Sequence, residues 1–140
     1  MAAPVQITFD ALDPNALCVW WAELLGYEVE RDGDFVAGLL EQGAVTEAEV
    51  VEIDGVLHFT DAASMLDPDG ASPRVYFQRV PEAKTAKNRV DLDVPAGDID
   101  LEAAVEHQTQ RGDAFVGYGT QGGHRWAVMQ DPEGNEFCLV

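Results

Sequence analysis

A chain of 140 residues has the length of one compact domain or of two small modules sharing a core, and its apolar fraction of 46% is that of a globular protein. Twenty-six acidic side chains against eight basic ones leave a formal charge of −18, which repels phosphate backbones and anionic lipid headgroups and excludes nucleic acid and membrane as partners. No apolar run reaches membrane-spanning length, and the first residues lack the basic and apolar regions of a secretory signal, so a cytoplasmic location is expected.

Residues 5–10 alternate apolar and polar, with Val5, Ile7 and Phe9 on one face of a predicted strand and Gln6 and Thr8 on the other. Asp13-Pro14 then opens a helix, Asp as N-cap and Pro at the first helical position. Its inward stripe is Leu17, Cys18, Trp21, Leu24 and Leu25, and Gly26 ends it. Strands are predicted over 27–30, 34–40, 49–54 and 56–60. Asp67-Pro68-Asp69-Gly70 is a turn whose Pro pre-sets φ and whose Gly takes the left-handed position, and it feeds a strand over 74–78.

The join 81–89 concentrates three cations, Lys84, Lys87 and Arg89. A strand over 90–94 follows, then a helix starting near Asp98 with Leu101, Ala104, Val105 and Gln108 inward and Gly112 at its close. Strands are predicted over 114–118 and 125–130. Asp131-Pro132-Glu133-Gly134 is a second turn of the Asp-Pro-x-Gly kind. It leads into 136–140, where Phe137 and Leu139 point one way and Glu136 and Cys138 the other. Cys18, on a helix core face, and Cys138, on a strand, point in directions that argue against a disulfide, and both are expected as free thiols.

An internal repeat organises these elements. Eighty-five positions on, from Gln6 to Asp91, the strand-then-helix pattern returns, carrying Val5, Ile7 and Phe9 onto Val90, Leu92 and Val94. Each half reads βαβββ. The expected architecture is α+β: two tandem βαβββ modules, 1–80 and 90–140 with a linker over 81–89, forming a single domain over 1–140. A helix covers one face of each antiparallel sheet, and the sheets curl so that their other faces enclose a shared cleft. Its expected lining is Gln6, Thr8, Tyr76, Gln78, Asp91, Asp93, Glu136 and Cys138, with His58 and Trp126 at the edges. His58 suits a proton shuttle or a hydrogen bond to a neighbour, His124 a lid loop or a plain connection, and His107 an exposed helix face. Trp20, Trp21, Tyr27, Phe9, Phe77 and Phe137 are assigned to the cores, leaving Tyr76 and Trp126 as aromatic platforms.

The paired βαβββ modules, Asp13-Pro14 with Trp20-Trp21-Ala22-Glu23-Leu24-Leu25-Gly26-Tyr27, the segment from Val75 to Asp93, and the closing Asp131-Pro132-Glu133-Gly134-Asn135-Glu136-Phe137-Cys138-Leu139 resemble the glyoxalase-like branch of the vicinal oxygen chelate superfamily. That superfamily includes glyoxalase I, extradiol dioxygenases, fosfomycin-resistance enzymes and bleomycin-binding proteins. The resemblance spans nearly the whole chain and implies metal-ligand positions at Gln6, at Tyr76 or Gln78, at Asp91 and at Cys138. The chain departs from that pattern: Cys138 stands where a Glu is usual, with Glu136 two residues earlier, and Asp91 where a His is usual. Two readings follow. The first is a metal-independent binder of a small neutral or cationic organic molecule, monomeric or homodimeric, with no cofactor. The second is a metal-assisted lyase, isomerase or oxygenase in which Asp91 and Glu136, with Gln6 or Gln78, hold Mg²⁺, Mn²⁺, Ni²⁺ or Zn²⁺. If the carboxylates are instead ion-paired, Arg74, Arg89 and Arg125 are the expected partners. No catalytic residue is assigned.

Overall fold

The computed structural model describes residues 1–140 and divides the chain into two units, Met1–Ala83 and Lys84–Val140. In the first unit, strand β1 (Ile7–Ala11) leads into helix α1 (Pro14–Leu25). The carboxylate of Asp13 accepts from the Ala16 amide at 3.1 Å, Pro14 occupies the first turn, and Gly26 leaves the helix in the left-handed conformation. These are the start and stop signals read from the sequence.

Strand β2 (Glu28–Val29) follows, and then the chain leaves the sheet. It forms helix α2 (Gly33–Glu41), a 3₁₀ turn (Glu47–Glu49) and a hairpin of β3 (Val50–Ile53) and β4 (Val56–Phe59), and returns as β5 (Ala62–Leu66) and β6 (Val75–Arg79). The main sheet has the order β1-β6-β5-β2, while β3 and β4 pair only with each other. The hairpin turns at Asp54-Gly55, with φ of 51° and 78°. This is the pairing that a two-residue type I′ turn demands, because both central residues must accept positive φ.

Under α1 lies this unit's core. Leu17, Cys18 and Trp21 are buried on the helix, and Met65, Val75 and Phe77 on the sheet. The Phe9 ring bridges the layers, 5.2 Å from the Trp21 ring and 5.3 Å from the Phe77 ring between centroids. Such aromatic packing adds to the burial term.

The second unit runs β7 (Leu92–Val94), α3 (Leu101–Gln110), β8 (Ala114–Gln121), β9 (His124–Gln130) and β10 (Glu136–Leu139), with sheet order β7-β10-β9-β8. Strand for strand this is the order of the first sheet, so the repeat extends to topology. The two Asp-Pro-x-Gly turns repeat as well: the carboxylate of Asp67 accepts from the amides of Asp69, Ala71 and Ser72, and that of Asp131 from the amides of Glu133 and Asn135.

Several expectations are corrected. Residues 34–40 are not a strand but lie in α2, because Val36, Leu39 and Leu40 recur at i, i+3, i+4. The strand 62–66 was unpredicted, its Ala-Ala-Ser opening giving little β signal. The sheets are mixed and not antiparallel, since β1 runs parallel to β6 and β7 to β10. Helix α3 is capped by Asp100, whose carboxylate accepts from the Ala103 amide at 2.7 Å, and not by Asp98. Both cysteines are buried free thiols, and burial, reinforced by Glu30, pushes that of Cys18 up to about 12. No helix is long and apolar enough to cross a membrane.

Candidate functional site

Side chains opposite each other across a strand pair share a face. Ser64 lies opposite Tyr76 and Ala62 opposite Gln78, so these four stand on the face of the first sheet turned away from the α1 core, where Met65, Val75 and Phe77 are buried. Across the Ser64 and Tyr76 part of this face the inserted segment builds a wall. Phe35 and Val36 from α2 and Leu57, His58 and Phe59 from β4 enclose a cavity of about 170 Å³ together with Glu30, Asp32, Ala62, Ala63, Ser64, Arg74 and Tyr76. Asn15 ties the hairpin to α1 by donating to the Phe59 carbonyl at 2.8 Å. The 3₁₀ turn that starts the hairpin is fixed by a capping box, in which the Thr46 amide donates to the Glu49 carboxylate at 2.7 Å.

The polar groups of this cavity are unequally satisfied. Arg74 grips Glu30 with Nε at 2.5 Å and Nη2 at 3.3 Å, donates from Nη1 to Gln6 Oε1 at 2.7 Å, and lies 5.8 Å from the Tyr76 ring centroid. His58 is different: its Nε2 is buried and has no hydrogen-bond partner. Burial, helped by Arg31 and opposed by Asp54, holds the imidazole below its usual pKa, so it is neutral near pH 7. Asp32 precedes α2 but makes no capping bond with it, and Phe35 beside it is 62% exposed. The cavity thus has aromatic walls, an imidazole in its lining whose buried nitrogen is unmatched, and a carboxylate at its rim.

Of the ten residues expected to line a site, His58 and Tyr76 line this cavity and Gln6 reaches it through Arg74. Thr8 is exposed on β1, and Gln78 donates to Asp10 at 2.8 Å. The other five belong to the second unit. There Cys138 lies opposite Asp93, and Glu136 and Asp91 each precede by one residue the Phe137–Leu92 pair of the same parallel register. Trp126 packs its indole over Gly119 and lies 5.9 Å from the His124 ring. His124 opens β9 directly after the Gly122-Gly123 turn.

The donor positions do not fit a divalent cation as they stand. Both oxygens of Asp91 accept from Lys87 Nζ, at 3.0 and 2.8 Å. Glu136 Oε1 accepts from Lys84 Nζ at 2.9 Å and its Oε2 from the Asn88 amide at 3.0 Å. Burial alone would raise the Glu136 carboxyl, but Lys84 and the Asn88 amide reverse this and hold it at about 2. The Gln6 oxygen is taken by Arg74, and no group of three His, Cys, Asp or Glu side chains converges as a metal cage. The partners of the carboxylates are therefore lysines of the join and not Arg74, Arg89 or Arg125. Arg74 pairs with Glu30 and Arg125 with Glu102.

The sequence reading missed Glu30, Asp32, Phe35, Val36, Leu57, Phe59 and the 62–64 strip. Two signals were available in the insertion, the i, i+3, i+4 spacing after Gly33 and the Thr-x-x-Glu box at Thr46.

A family model described as a glyoxalase-like domain matches residues 6–140. Among solved structures, the chain is similar to a fosfomycin resistance protein from Mesorhizobium loti, at 12% identity over 99% of this chain and 90% of that one with a TM-score of 0.63. It is also similar to a member of the glyoxalase/bleomycin resistance protein/dioxygenase superfamily from Sphaerobacter thermophilus, at 18% identity over 100% and 97% with a TM-score of 0.59. A third is the bleomycin-binding protein of Streptomyces verticillus complexed with copper(II)-bleomycin, at 17% identity over 100% and 96% with a TM-score of 0.54. The search of curated proteins returned no match.

Proposed function

The chain belongs to the glyoxalase-like domain family, and from that premise we propose that it binds a small organic molecule, neutral or cationic, in the cavity of its first unit, without the family's metal. The observation that carries this reading is the cavity walled by Phe35, Phe59 and Tyr76, with His58 in its lining and the buried Nε2 of that ring unpartnered. A buried polar atom left unmatched costs about 1–3 kcal/mol, and a ligand toward which the His58 ring turns to form a hydrogen bond removes that cost. The aromatic walls supply apolar contact, and Asp32 at the rim favours positive charge on the ligand's outer end. The field of a chain at −18 acts in the same direction on approach.

Size narrows the class. At about 170 Å³ the cavity is smaller than the roughly 300–1,000 Å³ of sites for drug-sized ligands, so it suits a single-ring molecule or one ring of a larger one. The Streptomyces verticillus neighbour holds copper(II)-bleomycin, which makes the fold compatible with an organic ligand.

The test is calorimetric titration with benzylamine and phenethylamine against benzoate and phenylacetate. The amines are expected to bind and the carboxylates not. Binding should weaken at least tenfold in His58→Leu. Equal binding of both charge types, or amine binding indifferent to His58→Leu, would overturn the assignment.

A further inference from the structure

We propose that Lys84 and Lys87 serve the second unit as its built-in cation, their ammonium groups seated on Asp91, where the family's pattern implies a metal ligand, and on Glu136, two residues before another such position, and that removing them opens this pair of carboxylates to a divalent cation. This is independent of ligand binding by the first unit.

The argument starts from register. Strands β7 and β10 pair in parallel with Leu92 opposite Phe137 and Asp93 opposite Cys138. Asp91 directly precedes β7 and Glu136 opens β10, each one residue before that first pair, and Glu136 alternates with the buried Phe137 onto the other face of its strand. Two carboxylates at neighbouring strand starts repel unless positive charge lies upon them. Asp93, two residues beyond Asp91, pairs with Cys138, but these side chains do not converge with Asp91 and Glu136 as a metal cage.

The choice of cation is telling. The chain has six arginines and only two lysines, and both lysines are here. Elsewhere it uses the flat fork of arginine, as at Arg74 and Arg125. On this patch it places compact ammonium groups, point charges with several hydrogen-bond donors each, which come closer to an ion than a guanidinium does. Their contacts occupy three of the four carboxylate oxygens, and the Asn88 amide takes the fourth. Lys84 also donates to the Ala86 carbonyl at 2.7 Å, and Asn88 Nδ2 to Asn135 Oδ1 at 2.9 Å. The segment carrying both lysines is thereby strapped onto the sheet. A divalent ion would have to displace both ammonium groups to reach these oxygens, and they are tethered at high effective concentration.

Mn²⁺ alone is the probe, with free ion followed by its paramagnetic resonance signal. Wild type should show no binding attributable to this patch, meaning none removed by Asp91→Asn. The double variant Lys84→Met/Lys87→Met should bind one Mn²⁺ at least tenfold more tightly, with its melting temperature raised by the ion. Lys84→Arg/Lys87→Arg, which keeps the charge, should gain nothing. No gain in the methionine variant, or wild-type binding that Asp91→Asn abolishes, would overturn the proposal. If the double variant does not fold even with Mn²⁺, Lys87→Met carries the test, since Lys87 is the more exposed of the two. A gain there supports the assignment, and none overturns it.

Discussion

Glu136 and His58 both weaken the fold as pH falls, over different ranges. The Glu136 carboxyl sits at about 2 in the folded chain against an ordinary 4.5. Its contribution to stability is therefore complete above the unfolded value and is lost as pH falls from about 4.5 through about 2. Glu136→Gln should flatten that acid limb, as urea titrations at pH 6 and pH 3 would show, and Lys84→Met should lower stability at neutral pH by about 2–4 kcal/mol because it strands a mostly buried carboxylate. His58 is depressed by burial, so the unfolded chain takes up a proton below about 6.5 while the folded chain resists, and stability falls there. His58→Leu should remove that loss and raise the melting temperature near neutral pH, the gain of about 1 kcal/mol expected when an unmatched polar atom is replaced by an apolar group. A variant that is more stable yet cannot bind would mark His58 as retained for its ligand.

Among the elements, the turns and caps are where local chemistry and structure agree most closely. Asp13→Ala should cost about 1 kcal/mol through loss of the α1 cap, measurable by thermal unfolding. Asp131 is 4% exposed and its carboxylate also accepts from Asn135 Nδ2 at 2.8 Å. Asp131→Ala should therefore cost about 2–4 kcal/mol, more than Asp67→Ala at the less buried copy of the same turn. Such features were legible because each is written in adjacent residues: Asp-Pro, Asp-Pro-x-Gly, and the stripe Leu17, Cys18, Trp21. The insertion was less so. Phe35 lies between Asp34 and Val36 as a strand residue would, and only the longer spacing of Val36, Leu39 and Leu40 reveals α2. Parallel pairing of β1 with β6 was hidden because it depends on elements nearly seventy positions apart, beyond the reach of periodicity. Of the cavity, the sequence disclosed Tyr76 and His58 but not their neighbours: Phe35 and Val36 lie on a helix read as a strand, Ala62 to Ser64 on a strand left unread, and Leu57 and Phe59 on a predicted strand whose packing partner, α2, was not foreseen.

Taken whole, the chain is strongly self-repelling, and screening should help it. Raising the salt from about 0.01 to 0.5 M shortens the Debye length from roughly 30 Å to a few Å, so the melting temperature should rise over that range, and a flat response in calorimetry would show that the −18 charge is already balanced locally. Both units repeat one sheet order, yet only the first interrupts it, between β2 and β5. The repeated strands carry the buried cores, while the interruption supplies Phe35, Val36, Leu57, His58 and Phe59 to the cavity. Variation can therefore alter what is recognised by editing one contiguous stretch, leaving the register of the duplicated frame untouched. Selection for a new ligand and selection against unfolding then act on largely separate residues, and a lineage built this way can change its chemistry faster than its shape.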